Sequence, residues 1–488
     1  MKGSSLNLSA VTSMIGRLLI VAACIMLIPL AVSLIYGESD WPGFALASGA
    51  ALLCGSAAVY FTRYCKRDVR LREGFLVVTL VWIIFGLFGM IPFMMCAHPL
   101  SFTDAYFEII SGLTTTGVSA FSNVSELSHG ILFWRAFSQW VGGLGIILFV
   151  LALLPEFNKA AGISLYNAEA TGIRHVKLHP RIRQTALSLW GVYVVITIVS
   201  ALLLWAGPMS FFDSLCHSFT AVATGGFSTR NEGPVSWHSD YVMIVLTAEM
   251  FVAGINFMVL YGAFRSDMRS LWRNTVVRTY TMMTLCFFGA LVVYALVRGN
   301  WTGTGDLVID RLFHVVSAAT STGFAIPGSE YWGPFAFMLT FLLMLIGSCA
   351  GSTTGGLKVD RIVILLKNIR NEISTSVYRK RVRVVRLDGS SLDSSQLGRI
   401  TAFVTLYFVL LAAAVCIVTF VGYDFTDSLF MVSSCIGCNG LGYGITGQTG
   451  SYASLCDCVK WLLTLLMLVG RLELFAFVVL LVPSSWRR

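Results

Sequence analysis

"SGLTTTGVSAF" (residues 111–121) places a run of small polar residues inside a chain of 488 residues that is 56% hydrophobic and only 12% charged. The stretch recurs. Starting from an aspartate each time, "DAYFEIISGLTTTGVSAF" from Asp104, "DSLCHSFTAVATGGFSTR" from Asp213, "DRLFHVVSAATSTGFAIP" from Asp310 and "DSLFMVSSCIGCNGLGYG" from Asp427 align without gaps. Ser111, Thr220, Ser317 and Ser434 share the eighth column, and Gly117, Gly226, Gly323 and Gly440 share the fourteenth. The aspartate reads as a helix N-cap followed by about ten moderately apolar residues. That is too short to cross a membrane and fits a re-entrant segment.

The surroundings of these copies are membrane-like. Soluble domains carry about 25% charged residues, roughly twice the share found here. Apolar runs long enough for a spanning helix recur at Leu18–Ile35, Phe75–Met95, Ile131–Leu154, Thr185–Trp205, Tyr241–Tyr261, Tyr280–Val297, Thr401–Val421 and Val459–Val482, with a shorter one at Phe335–Ile346. No small-residue cleavage pattern follows the first run, so it is expected to stay as a mature helix. Most of the 34 basic residues fall in bursts at 63–72, 159–183, 265–278, 358–399 and 487–488. These bursts alternate with loops nearly free of Lys and Arg, which predicts that the basic segments and both termini are cytoplasmic. The formal charge of +9 is therefore read as membrane topology and not as a nucleic-acid surface.

The repeating unit is a span, a short helix, a glycine-bearing extended stretch and a second span. The expected fold is an all-α integral membrane protein with four pseudo-symmetric units around one central pore, plus an extra N-terminal helix pair. Boundaries are expected at 1–71 for the pair, then 72–183, 184–276, 277–398 and 399–488 for the repeats. Non-helical backbone at membrane depth survives only where protein buries it or where it lines a watery path. Four glycine stretches around one axis can turn backbone carbonyls inward and replace the hydration of a cation. Glycine suits the required backbone angles, and the C-terminal ends of the short helices favour positive charge. Small-residue helix packing would explain one such copy, but not four in register at the same topological place.

These four segments, with "QWVGGLGI" (139–146), "GSCAGSTTGGLKVDR" (347–361) and "VGRLELF" (469–475), resemble the Trk/Ktr/HKT superfamily of potassium transporters. The N-terminal pair and the chain length point to its TrkH/TrkG branch. The resemblance implies a K⁺ selectivity filter of backbone carbonyls from Thr115, Thr116, Gly117 and Val118; Thr224, Gly225, Gly226 and Phe227; Ser321, Thr322, Gly323 and Phe324; and Cys438, Asn439, Gly440 and Leu441. Glycine at 117 implies a preference for potassium. The fourth segment, "IGCNGLGYG", departs from the family pattern and leaves Gly442 as a rival to Gly440. "GSCAGSTTGGLK" interrupts the second span of the third repeat, and each glycine costs a helix about 1 kcal/mol. The resemblance makes it an intramembrane gating loop comprising Gly347, Gly351, Ser352, Thr353, Thr354, Gly355, Gly356 and Lys358. Arg471 lies within the last apolar span, where a charge must find water or a partner. The resemblance places it in the pore beneath the filter, in contact with that loop.

The resemblance further implies a homodimer in the bacterial inner membrane. It also implies a cytoplasmic TrkA-like regulatory partner that binds NAD(H) or adenine nucleotides, for which the run "YRKRVRVVR" (378–386) offers a basic docking surface. The chain itself shows no dinucleotide-binding or P-loop context, so no cofactor is expected in it and K⁺ is cargo. Channel-like permeation is expected, with K⁺/H⁺ or K⁺/Na⁺ symport as the alternative. An enzyme is not expected, since no nucleophile–base pair or paired carboxylates stand at catalytic spacing. Cys456-x-Cys458 matches no zinc pattern, the histidines show no metal spacing, and Glu249 reads as a buried hydrogen-bonding residue.

Overall fold

The computed structural model describes residues 7–64, 71–145, 182–265, 267–301, 303–377, 384–388, 390–447, 451–472 and 474. Much of the basic sequence, including 159–181, 378–383 and the terminal arginines, lies outside the described residues.

The described residues are mostly helical, and their one ladder is two residues long, pairing Arg386–Leu387 with Ser390–Ser391. Among the described residues six helices are long and apolar enough to cross a membrane: Leu8–Ile35, Trp41–Phe61, Glu73–Met94, Gln184–Trp205, Thr275–Arg298 and Ser394–Val421. The first two form the N-terminal pair and pack along each other. Gly16 and Gly55 meet at their crossing, where a Cβ on either would press on the other's carbonyl. The turn between them reaches over to the first repeat. The Glu38 carboxylate accepts from the N–H groups of His129 and Gly130 at 2.7 and 2.9 Å, and Asp40 accepts from Ser128 Oγ at 2.5 Å. Carboxylates therefore take the first free N–H groups of the helix His129–Gly143 and sit at its positive end.

The other four spanning helices open the four repeats, and each is followed by a short helix: Phe102–Leu113, Phe211–Val222, Arg311–Ala319 and Phe425–Gly437. Their N-caps differ from the sequence expectation. Ser101 and Ser210 cap the first two, three residues before the aspartates, and each Oγ accepts from the aspartate N–H while donating to its carboxylate. Asp424 caps the fourth. Asp104, Asp213 and Asp427 lie in the first turn, where a carboxylate faces the positive end of the helix. In the third repeat Asp310 has helical angles and caps nothing; a π turn over Asp306–Asp310 leads into the helix instead.

The second spans also differ from expectation. Interruption was expected in the third repeat alone, yet all four helices stop part-way: His129–Gly143, Asp240–Ala253, Pro334–Ile346 and Asp457–Arg471. In the second repeat the chain resumes at Phe257–Arg265 after a 99° bend. A glycine stands at every stop: Gly143, Gly254, Gly347 and Gly470. One reason is close approach. A Cβ at Gly142 would collide with the Leu113 carbonyl, and one at Gly470 with the Ile436 carbonyl, the last turns of their own short helices.

The repeats close into a ring. The second span of the first repeat packs on the short helix of the second, that of the second on the third, that of the third on the fourth, and that of the fourth on the first. The short helices consequently lie deep within the protein, with Ala105 through Leu113 all buried.

Candidate functional site

Each short helix ends in the same way. Thr115, Thr224, Ser321 and Cys438 adopt φ of 56°, 54°, 51° and 47°, the left-handed region that side chains enter at a cost of about 1–2 kcal/mol. The N–H of the next residue then returns to the eighth-column carbonyl: Thr116 to Ser111 at 2.9 Å, Gly225 to Thr220 at 2.8 Å, Thr322 to Ser317 at 3.0 Å and Asn439 to Ser434 at 2.9 Å. This is a Schellman termination, repeated four times. It stops the helix and turns the chain back towards the centre.

Two residues later come Gly117, Gly226, Gly323 and Gly440, at φ of 84°, 78°, 84° and 82°. A Cβ on Gly117 would run into the carbonyl of Gly225; one on Gly226, into that of Thr322; one on Gly323, into that of Asn439; and one on Gly440, into that of Thr116. Each glycine thus abuts the next quarter, and the fourth returns to the first. In all four, the glycine is partly exposed between buried neighbours. The residue in this ring is Gly440. Gly442 packs instead against the Thr446 carbonyl in the loop beyond.

The sixteen residues assigned to the filter are not equivalent. Ser111 Oγ donates to the Val118 carbonyl at 2.6 Å, and Ser317 Oγ to that of Phe324 at 2.8 Å, which accounts for the hydroxyl column in those repeats. Gln139 Nε2 donates to the Gly225 carbonyl at 2.7 Å, while its Oε1 accepts from Phe227 N at 3.2 Å. Asn439 Nδ2 donates to the Ala318 carbonyl at 2.8 Å, on the short helix of the third repeat. The protein itself engages the carbonyls of Val118, Phe324 and Gly225, each through one side-chain donor. They anchor the ring's backbone.

The interrupting segment Gly347–Lys358 lies against the ends of the short helices. Thr353 Oγ1 donates to the Val222 carbonyl at 3.1 Å and accepts from Thr224 Oγ1 at 3.2 Å. Gly355 N donates to Ser321 Oγ at 2.6 Å, and a Cβ at Gly355 would strike the Gly437 carbonyl. Asn256, at the bend of the second repeat, holds the Ala350 carbonyl at 2.6 Å. Arg471 donates to Thr353 O at 2.8 Å, to Gly142 O at 2.6 Å and to Gly143 O. Lys358 folds back on the loop, its Nζ donating to Thr354 O. Ser348, Ser352 and Thr354 hydroxyls are linked at 2.6 and 2.8 Å. Gly347, Gly351 and Gly356 have φ of 72–77°, so the loop's shape depends on them. The segment and Arg471 together touch all four repeats.

Sequence reasoning missed Gln139 and Asn256 as braces, and it missed the buried ion pair Glu108–Arg135 (2.7 Å) and the pair Lys460–Asp104 (2.5 Å). Arg135 and Lys460 fall in apolar runs, so the rule that drew attention to Arg471 would have found them. Glu249, placed correctly as a buried hydrogen-bonding residue, accepts from Ser200 Oγ. Cys456 and Cys458 are exposed, with sulfurs 3.5 Å apart at the start of the last second span. Among the described residues no group of three or more His, Cys, Asp or Glu could hold a metal.

Re-entrant helices in a closed ring of four, set within a bundle of apolar spans, define a membrane transport protein of the four-repeat pore-loop class. Comparison with known proteins narrows this. A family model for TrkH cation transport proteins matches residues 44–488, and the chain belongs to that family. It is similar to the Trk system potassium uptake protein TrkH of Vibrio parahaemolyticus, 32% identical over 483 residues, covering 98% of this chain and 99% of that one. TrkH of Escherichia coli K12 is 33% identical over 487 residues, covering 99% and 100%. TrkG of the same organism is 30% identical over 487 residues, covering 99% of each. The crystal structure of the potassium transporter TrkH from Vibrio parahaemolyticus superposes with a TM-score of 0.89 at 30% identity, covering 99% of this chain and all of that one. These relatives are named as transporters, not as enzymes.

Proposed function

We propose that the chain is the potassium-translocating subunit of a bacterial K⁺ uptake system, and that K⁺ passes through the ring formed around Gly117, Gly226, Gly323 and Gly440. The observation that carries this reading is the closed circuit in which each glycine abuts the backbone carbonyl of the following quarter. Only a residue without a side chain fits there, and what it leaves facing the partly exposed centre is backbone oxygen, a ligand for a dehydrated monovalent cation. Potassium is the ion that the curated relatives are named for.

The segment 347–358 and Arg471 act as the gate. The guanidinium places a positive charge below the ring and ties the loop to the first repeat through Gly142 and Gly143. Opening requires those bonds to part. The protein sits in the inner membrane as a homodimer with both termini cytoplasmic. A TrkA-like nucleotide-binding partner docks on its basic cytoplasmic surface and controls the loop. Permeation is channel-like, and K⁺/H⁺ or K⁺/Na⁺ symport is the competing mechanism.

The test is ⁸⁶Rb⁺ uptake and current recording with the purified chain in proteoliposomes. A reversal potential that follows the K⁺ gradient alone supports a channel; a shift when pH or Na⁺ is changed supports symport. Gly117→Ser should weaken discrimination against Na⁺, and an unchanged ratio removes Gly117 from the filter. Arg471→Ala, or a shortened 347–358 loop, should raise basal flux; unaltered flux in both rejects the gate.

A further inference from the structure

The fifth column of the four aligned segments holds Glu108, His217, His314 and Met431, all buried. Counting seven residues from each second span's N-cap gives Arg135, Leu246, Thr340 and Leu463, all buried. In the third repeat the two positions meet, His314 Nε2 lying 2.9 Å from Thr340 Oγ1. In the first they form an ion pair. Arg135 Nε is 2.7 Å from Glu108 Oε1, with the two side chains 2% and 0% exposed.

This pair does more than satisfy itself. Arg135 Nη2 donates to Ser119 Oγ at 3.0 Å, and Nη1 donates to the Ser228 carbonyl at 3.1 Å. Its guanidinium also lies over the Phe227 ring, 4.1 Å from the centroid. Ser119 and Ser228 are each two residues beyond a ring glycine, in the first and second quarters. Glu108 in turn accepts from Ala120 N at 2.7 Å and from Ser119 Oγ at 3.1 Å. One planar fork thus holds the outgoing strands of two adjacent quarters at a set separation. An ammonium cannot make all these contacts, because it offers a point charge in place of a fork. The charge also needs cancelling. An uncompensated buried cation beside a cation path would repel its cargo, and Glu108 removes that field.

We propose that Arg135 is a positioning residue that fixes the spacing between the first and second quarters of the ring, with Glu108 neutralising it, so that K⁺/Na⁺ discrimination depends on a pair that touches no ion. The inference rests on the filter reading above and adds a residue that determines specificity.

Three variants of the full chain in proteoliposomes test it, alongside Gly117→Ser as the reference for the ring, with ⁸⁶Rb⁺ uptake measured against competing K⁺ and Na⁺. Arg135→Lys keeps the charge and loses the fork, so the K⁺/Na⁺ ratio should fall roughly tenfold, the factor one charge-assisted hydrogen bond corresponds to, while the melting temperature stays close to that of the parent. Glu108→Gln leaves the guanidinium uncompensated, so uptake of both ions should fall together. Ser119→Ala removes one anchor without exposing a charge and should lower the ratio by about threefold. A folded Arg135→Lys protein with the parental ratio overturns the proposal. Should that variant not fold, an unchanged ratio in Ser119→Ala overturns it equally. If Gly117→Ser also leaves the ratio unchanged, the filter reading falls and this inference with it; if Gly117→Ser lowers the ratio and Arg135→Lys does not, only the clamp is wrong.

Discussion

Thr114 and Thr116 bond each other at 2.8 Å in the first quarter of the ring, and Thr320 and Thr322 do so at 2.7 Å in the third. The same two columns hold Ala223 and Gly225 in the second quarter, and Gly437 and Asn439 in the fourth. Neither even quarter has the hydroxyl pair, and each is linked sideways to an odd one. Gln139 reaches from the first repeat to Gly225 and Phe227, while Asn439 reaches from the fourth to Ala318. The backbone angles are nevertheless nearly the same in all four. A strained conformation can therefore be held from within by paired hydroxyls or by an amide bond to an adjoining quarter.

The contrast can be broken by substitution. Gly225→Ala should be the most damaging, because its Cβ would land on the Gln139 amide and displace the brace. Transport of K⁺ should fall by roughly a hundredfold, because the collision adds to the loss of two buried hydrogen bonds; near-parental uptake would show that the brace is dispensable. Gln139→Leu removes the same bonds without a collision, and should cut the K⁺/Na⁺ ratio about tenfold. Asn439→Ala loses a single bond to Ala318, so its ratio should fall by about threefold to tenfold. Thr116→Val should matter least. Thr114 Oγ1 already has the Ile110 carbonyl at 2.7 Å, so no buried hydroxyl is orphaned and the ratio should stay within about twofold. A Thr116→Val effect equal to that of Gln139→Leu would erase the distinction between odd and even quarters.

Much of the architecture was legible because it is periodic. Four copies of one segment, each beginning at an aspartate and carrying a glycine in the same column, announce four like units, and apolar length announces the bilayer. The capping was equally available: "SFTD" and "SFFD" are Ser-x-x-Asp patterns, in which the serine caps and the shared aspartate stands three residues on. The broken second spans were harder to read. "VGGLG" and "VAGIN" look like tolerated glycines in an apolar run, and only tertiary neighbours show why they must be small: the Leu113 carbonyl against Gly142, and the Tyr280 hydroxyl and Thr320 methyl against Gly254. The cross-braces could not be read at all from one repeat. Gln139 and Gly225 are partners through ring closure, and neither residue advertises the other along the chain. Asn439 shows the same limit. It looks like a deviation in the fourth segment until its amide is seen on the third.

A single polypeptide winds once around this ring, so a change in the gene alters one side of the conduit and leaves three untouched. A pore assembled from identical subunits has no such latitude, since every substitution there arrives in quadruplicate. Sequence drift can then proceed sector by sector, with a loss in one sector tolerated once the adjoining sector supplies a replacement bond. Cys438 and Asn439, so unlike Thr115 and Thr116 at the matching positions of the first quarter, depart in one sector alone.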